Sequence, residues 1–246
     1  MGQILNKKGD SYFHLTNGSC LCTIVGMPRA ARIVLPGEVH HISQHGNNRE
    51  DVFFDDEDRE VYLETLGEQA EKFGLTLLGY CLMPNHVHIL GVPEEEASLA
   101  KTLGSTHLLY TQHINRAYER SGHLWQQRFR SCAMDEDHFW AALRYIERNP
   151  VRSELAESPW EYAWSSAAVH TGEAASDPLV DMAVWEEWAE GVDWKAFLGE
   201  LDDEDDLKRL RGTTGRPLGN DEFLDALEEK LGRRVRALPR GRPRRK

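Results

Sequence analysis

The stretch from Leu75 to Val92 constrains the fold more than any other part of the 246-residue chain. Two apolar runs, Leu75 to Leu82 and His86 to Val92, flank Pro84-Asn85, and read as strand, tight turn and strand. A helical pattern lies on either side of this pair. From Asp56 to Phe73 the positions Val61, Leu63, Leu66, Ala70 and Phe73 suit an amphipathic helix, with Gly74 as its C-terminal cap. Ser98 to Tyr118 gives a second long helix. Upstream, Val39 to Ser43 reads as a short strand between Pro36-Gly37 and the turn signal Gly46-Asn47-Asn48. Downstream, Gly122 to Cys132 is irregular or a short strand. Asp135 to Asn149 is a third helix: Asp135, Glu136 and Asp137 suit its positive end, and Pro150 stops it. The order is that of an α+β, ferredoxin-like split βαβ sheet with helices on one face.

Charge is spread unevenly along the chain. The sequence holds 29 Lys/Arg and 41 Asp/Glu, a net of −12, which taken whole argues against a general nucleic-acid binder. From Leu207 to Lys246, however, there are 13 basic and 5 acidic residues, a net of +8, which leaves −20 for the rest. Such a tail reads either as polyanion-seeking or as a solubiliser. The expected organisation is a leader over 1–26, with Met27 an alternative to Met1 as the native start, then the main domain over 27–170. A helical and acidic linker follows over 171–206, where Trp185, Trp188 and Trp194 mark a short packed helix, and a basic extension over 207–246 carries a last small helix at Phe223, Leu224, Leu227 and Leu231. Cys20, Cys22, Cys81 and Cys132 are too few and too scattered for a disulfide framework. With no apolar run of membrane-spanning length and no secretory signal, the expectation is a cytoplasmic protein.

Four features carry chemistry. In His86-Val87-His88, alternate strand positions send both imidazoles to one face, which makes a two-point metal grip or simply two polar positions on a half-exposed strand. His40, His41 and His45 are competing histidines, either ligands or turn-flanking residues, with the second reading favoured. Tyr145 and Asn149 stand four apart on a helix and so share a face. A phenol is a weak nucleophile until it or its electrophile is activated, and the bland reading is a core or rim tyrosine. Trp125, Arg128 and Arg130, with Arg116 and Arg120 upstream, interleave rings and guanidinium groups, which suits single-stranded nucleic acid or a packed aromatic edge. Arg240-Gly241-Arg242-Pro243 resembles the core of an AT-hook, an arm that lies in the DNA minor groove.

Taken in order, the motifs resemble one family, the single-tyrosine HUH transposases and in particular the REP-associated tyrosine transposases. The match runs through Pro36-Gly37, His40-His41 and Gln44-His45-Gly46-Asn47, Asp58-Arg59, and Gly79-Tyr80-Cys81-Leu82-Met83-Pro84-Asn85-His86-Val87-His88. It continues through Ser121-Gly122-His123-Leu124-Trp125-Gln126-Gln127-Arg128-Phe129 and Tyr145-Ile146-Glu147-Arg148-Asn149-Pro150-Val151-Arg152, and closes on Trp160 and Trp164-Ser165-Ser166. It covers roughly residues 28–170.

The resemblance implies a DNA transposase that cuts and rejoins single-stranded or hairpin DNA through a 5′-phosphotyrosine intermediate. By position, Tyr145 matches the nucleophile, His86 and His88 the metal pair, and Asn149 the polar residue that completes the metal site. It also implies a homodimer and Mg2+ or Mn2+, although two imidazoles and an amide would by softness favour zinc, copper or nickel. The DNA-contact candidates are Arg116, Arg120, Trp125, Arg128, Arg130, Arg240 and Arg242. Two other readings remain: a non-catalytic hairpin-binding regulator derived from a transposase, and a metal hydrolase of small molecules.

Overall fold

The computed structural model describes residues 14–16, 19–21, 32–200, 210 and 215–236. The chain divides into two compact units, Met1–Arg32 and Ile33–Lys246. The first contains an antiparallel hairpin of β1 (His14–Thr16) and β2 (Ser19–Leu21), with Leu15 opposite Cys20.

The second unit is built on β3 (Val39–His45), α1 (Asp56–Phe73), β4 (Leu75–Met83), β5 (His86–Pro93), α2 (Ser98–Ala117) and β6 (Arg130–Met134). The spatial order is β4-β5-β3-β6, with every neighbouring pair antiparallel. Because β5 lies between β3 and β4, the β3-α1-β4 unit is split, as the ferredoxin-like pattern requires. Local chemistry sets the ends of α1. Asp55 and Asp58 form a reciprocal capping box, and Gly74 closes the helix in the left-handed region at φ 65°.

Strand alternation divides the core between the two faces. Ile42, Leu82, Val87 and Ile89 pack with Tyr62, Leu66, Leu99, Leu103 and Tyr110 of α1 and α2. On the opposite face Val39, Cys81, Met83 and Leu90 pack with Phe139, Leu143 and Ile146 of α3 (Glu136–Glu147). A bulge at Leu78 lies between the pairs Leu77–Gly91 and Gly79–Leu90 and shifts the phase of β4, so that Leu77 and Tyr80 serve one face and Leu78 and Cys81 the other. At Gly79 a Cβ would lie 2.6 Å from Leu143 Cδ1 and 3.2 Å from Ser166 Oγ, so the missing side chain lets α3 approach the sheet.

The helices of the split unit therefore share one face, and α3 adds a layer on the other. It is joined there by α5 (Ala167–His170), α6 (Met182–Trp188) and α7 (Trp194–Gly199). The single short helix expected around the tryptophans is two: Trp185 and Trp194 are buried in this layer, whereas Trp188 is exposed. The expected stop of the third helix also moves. It breaks at Arg148, and Pro150 occupies the first turn of α4 (Asn149–Arg152), where its missing N–H costs nothing.

Both sheet edges are covered. Leu82 N–H donates to the Trp164 carbonyl at 2.8 Å and Ser166 N–H to the Tyr80 carbonyl at 3.1 Å, along β4. Along β6, Leu218 N–H donates to the Ala133 carbonyl at 2.8 Å. The segment 215–236 thus folds back on the sheet. From α8 (Asp221–Leu231) and the residues after it, Leu227 and Val235 form a small core with Leu35 and Ala133. Arg236 pairs with Asp225 at 2.7 Å and Glu228 at 3.2 Å, so this part of the basic extension spends charge internally. The acidic run Glu204 to Asp206 and the tail residues Arg240 and Arg242 lie outside the described residues. No helix among those described is long and apolar enough to cross a membrane.

Candidate active site

The alternation of β5 buries Val87 among the α1 and α2 side chains and turns His86 and His88 to the face that carries α3. The antiparallel register sets His45 of β3 opposite His86, and Ser43 opposite His88. His41 and His45 share the parity of Ser43, so β3 sends two more imidazoles to the same face. The His45 ring stacks on His86 with centres 4.8 Å apart, and His41 on His88 at 5.1 Å. His40 points the other way. Its Nδ1 donates to the Glu38 carbonyl at 2.8 Å and its Nε2 accepts from Leu35 N–H at 3.2 Å, which makes it a tie within the fold. The favoured reading of all three as turn-flanking residues is therefore corrected for His41 and His45. The signal was their spacing of four along a strand that pairs with the His-x-His strand.

The hydrogen bonds around the pair fix its chemistry. His86 Nδ1 lies 2.6 Å from Asn85 Oδ1, an atom that can only accept, so the proton sits on Nδ1 and Nε2 is left as a lone pair. That Nε2 is 3.2 Å from the Asn149 amide nitrogen. His88 Nδ1 meets His41 Nε2 at 2.8 Å. Burial, with the charges of His45 and Arg49 adding to it, pushes His86 down to about 3. Burial alone pushes His41 down to about 4. His88 is held well below the ordinary histidine range, first by burial and then by its histidine neighbours. All three are neutral near pH 7, the form in which imidazole acts as a ligand.

Tyr145 enters from α3. Its half-buried ring stands edge-on to His88, 5.6 Å between centres, and to His41 at 6.3 Å. Arg152 of α4 lies over the phenol face at 4.4 Å and donates to the Tyr145 carbonyl, so the turn after the helix break clamps the ring. Asn149 stands at that break and still reaches His86. Two positions from Tyr145, the buried Glu147 carboxylate accepts from Ser166 Oγ and His170 Nδ1 at 2.6 Å each and from Trp194 Nε1 at 2.8 Å. Asn85, Arg152 and this three-donor anchor join the site without having been singled out by sequence.

A divalent ion fits the donor set. In metal sites a ligating imidazole usually has its second ring nitrogen held by a hydrogen bond, as His86 and His88 have here through Asn85 and His41. Among the described residues no three His, Cys, Asp or Glu side chains converge on one point. The donors such an ion would meet are two Nε2 atoms and the Asn149 amide, whose oxygen would take the place of its nitrogen if the amide turned over.

The basic candidates separate. Arg128 and Arg130 are exposed and line a small cavity beside His45. Arg116 is exposed at the end of α2, and Arg120 lies over Phe54 at 5.1 Å and 4.0 Å from Glu50. Trp125 does not offer a stacking face. It is buried against His107, 4.4 Å between ring centres, and lies near Tyr62 and Tyr110, so its place among the DNA contacts is withdrawn.

Fold and site define a ferredoxin-like domain with a His-x-His strand facing a tyrosine on the covering helix. Residues 38–149 match the family described as IS200-like transposases. The solved structures similar to the chain include two transposases. One is a REP-associated tyrosine transposase bound to a REP hairpin: 15% identity, 62% of this chain and 90% of that chain covered, TM-score 0.48. The other is a candidate transposase from Deinococcus radiodurans R1: 22% identity, 50% and 95% covered, TM-score 0.34. No curated protein matches the chain.

Proposed function

We propose that the protein is a DNA strand transferase that cuts single-stranded DNA beside a hairpin, with Tyr145 as nucleophile and His86, His88 and Asn149 as metal ligands. The observation that carries the reading is the convergence of Tyr145 and Asn149, from two short consecutive helices, on a pair of neutral imidazoles. The match of residues 38–149 to the IS200-like transposases supports DNA as the substrate class.

In the reaction, Tyr145 Oη gives up its proton and bonds to the scissile phosphorus. The P–O3′ bond breaks, and the departing O3′ takes up a proton as a free 3′-hydroxyl. The 5′-phosphotyrosine conserves the phosphodiester energy, so an incoming 3′-hydroxyl can reverse the step without ATP. Mg2+ or Mn2+, when bound, supplies Lewis-acid polarisation of the phosphate. Arg152 keeps the phenol ring in register with the histidines. Asn85 and His41 orient the two imidazoles. Joining two cut ends calls for two tyrosines, which a homodimer supplies.

The test is incubation of the protein with a hairpin oligonucleotide carrying a single-stranded flank from its own genomic neighbourhood, with Mn2+ or Mg2+. A covalent adduct that survives denaturation and is lost in Tyr145→Phe and in His86→Ala supports the reading. Tight hairpin binding with no adduct would leave a non-catalytic regulator. An adduct that persists in Tyr145→Phe would sink the assignment of the nucleophile.

A further inference from the structure

We propose that the cavity between the end of β3 and the loop leading into β6 is a phosphate pocket, which holds one backbone phosphate of the DNA strand next to the bond that is cut. The inference rests on the DNA reading above and deepens it. The cavity has a volume of about 140 Å3, room for a phosphodiester group and not for a duplex. Arg49, Arg128 and Arg130 line it, with the amides of Gln126 and Gln127, and no carboxylate does. In a chain with an excess of 12 acidic residues, three guanidinium groups around one small space make a marked local excess of positive charge. None of the three pairs with a carboxylate among the described residues. Guanidinium groups left in this way are suited to paired hydrogen bonds with phosphate oxygens.

Two further observations point the same way. Arg49 and Gln127, which both line the cavity, sit in the left-handed backbone region, at φ 62° and 59°. Non-glycine residues are held there at a cost, and such positions cluster at ligand clamps. The walls are also joined: Gln44 Nε2 donates to the Gln126 carbonyl at 2.9 Å, and Gln126 N–H to the His45 carbonyl at 2.8 Å. His45 lines the cavity and stacks on His86, so the pocket adjoins the imidazole pair through one shared side chain. A strand passing Tyr145 and His86 can therefore set a neighbouring phosphate among the arginines. That would fix which phosphodiester comes under the phenol.

The exposed arginines can be removed with little risk to folding. The experiment measures binding of a 12-nucleotide single strand by the full chain at several salt concentrations, for wild type and for Arg128→Ala/Arg130→Ala. Each phosphate contact to single-stranded DNA contributes a slope of about 0.7 in log K against log salt. A slope smaller by about 0.7 in the double variant supports one shared phosphate. An unchanged slope overturns the pocket, and a decrease of about 1.4 means two separate phosphates and overturns it as well. A second arm titrates thymidine monophosphate and thymidine by ligand-observed NMR. Saturable binding of the nucleotide alone, lost in the double variant, supports the pocket; equal binding of nucleoside and nucleotide overturns it. Neither arm needs cleavage, so a failure here with an intact Tyr145 adduct counts against the pocket only. Loss of the adduct with intact nucleotide binding counts against the proposed reaction only.

Discussion

Replacement of Glu147 by alanine tests how α3 is held. The carboxylate is completely buried and accepts from Ser166 and His170 of the α5 segment and from Trp194 of α7. Alanine removes the acceptor and strands the buried His170 and Trp194 donors, each at a cost of about 1–3 kcal/mol before relaxation, while Ser166 Oγ keeps the Tyr80 carbonyl at 3.3 Å. Water entering the space recovers part of this. Two stranded donors at that cost leave a net loss of about 4 kcal/mol. For a unit of this size each kcal/mol is worth about 2–4 °C, which gives a Tm lower by about 8–16 °C. Thermal unfolding followed by circular dichroism reads it directly. Glu147→Gln keeps one acceptor oxygen and should fall between wild type and alanine. A decrease of less than about 3 °C in the alanine variant would mean that the network does not anchor the helix.

Further outcomes follow from the same geometry. His40 is pushed down to about 4, chiefly by burial, so the unfolded chain binds the extra proton first and stability falls as pH drops from about 6.5 toward 4. Its share between pH 7.5 and 5.0 is about 2 kcal/mol, and urea unfolding of His40→Gln should show that much less acid sensitivity than wild type. Gly46→Ala would bring a Cβ to 2.2 Å from the Glu50 carbonyl oxygen and 2.7 Å from Val52, so the turn beside His45 must shift. A lowered urea midpoint and reduced adduct yield are expected together. Mn2+ should raise the wild-type Tm, by about 2.7 kcal/mol of stability at a concentration of 100 Kd. That rise should vanish in His86→Ala and His88→Ala, and its survival in both would remove the metal from this pair.

Much of the fold was legible because hydrophobic period and turn chemistry agreed. The bounds of α1 follow from its apolar spacing and Gly74, and the β4–β5 hairpin from Pro84-Asn85. The layer formed by α3 and the later helices was less so. Tryptophan spacing marks burial but not the turn between Trp188 and Trp194, and it could not divide one helix into two. At the site, His86-Val87-His88 declares its face through strand alternation alone. His41 and His45 become neighbours of that pair only through the β3–β5 register, a long-range property that local pattern does not contain. Trp125 misled for the complementary reason. Arginines surround it in sequence, yet the ring turns inward to His107 while Arg128 and Arg130 turn outward.

The most direct test of the central claim is to find the residue that carries DNA. The covalent complex formed with Mn2+ would be digested with nuclease and protease and its modified peptide sequenced by mass spectrometry. A nucleotide joined through its 5′-phosphate to Tyr145 is the result expected. The same modification on Tyr110, Tyr118 or Tyr162, or a complex joined through a 3′-phosphate, would contradict the account.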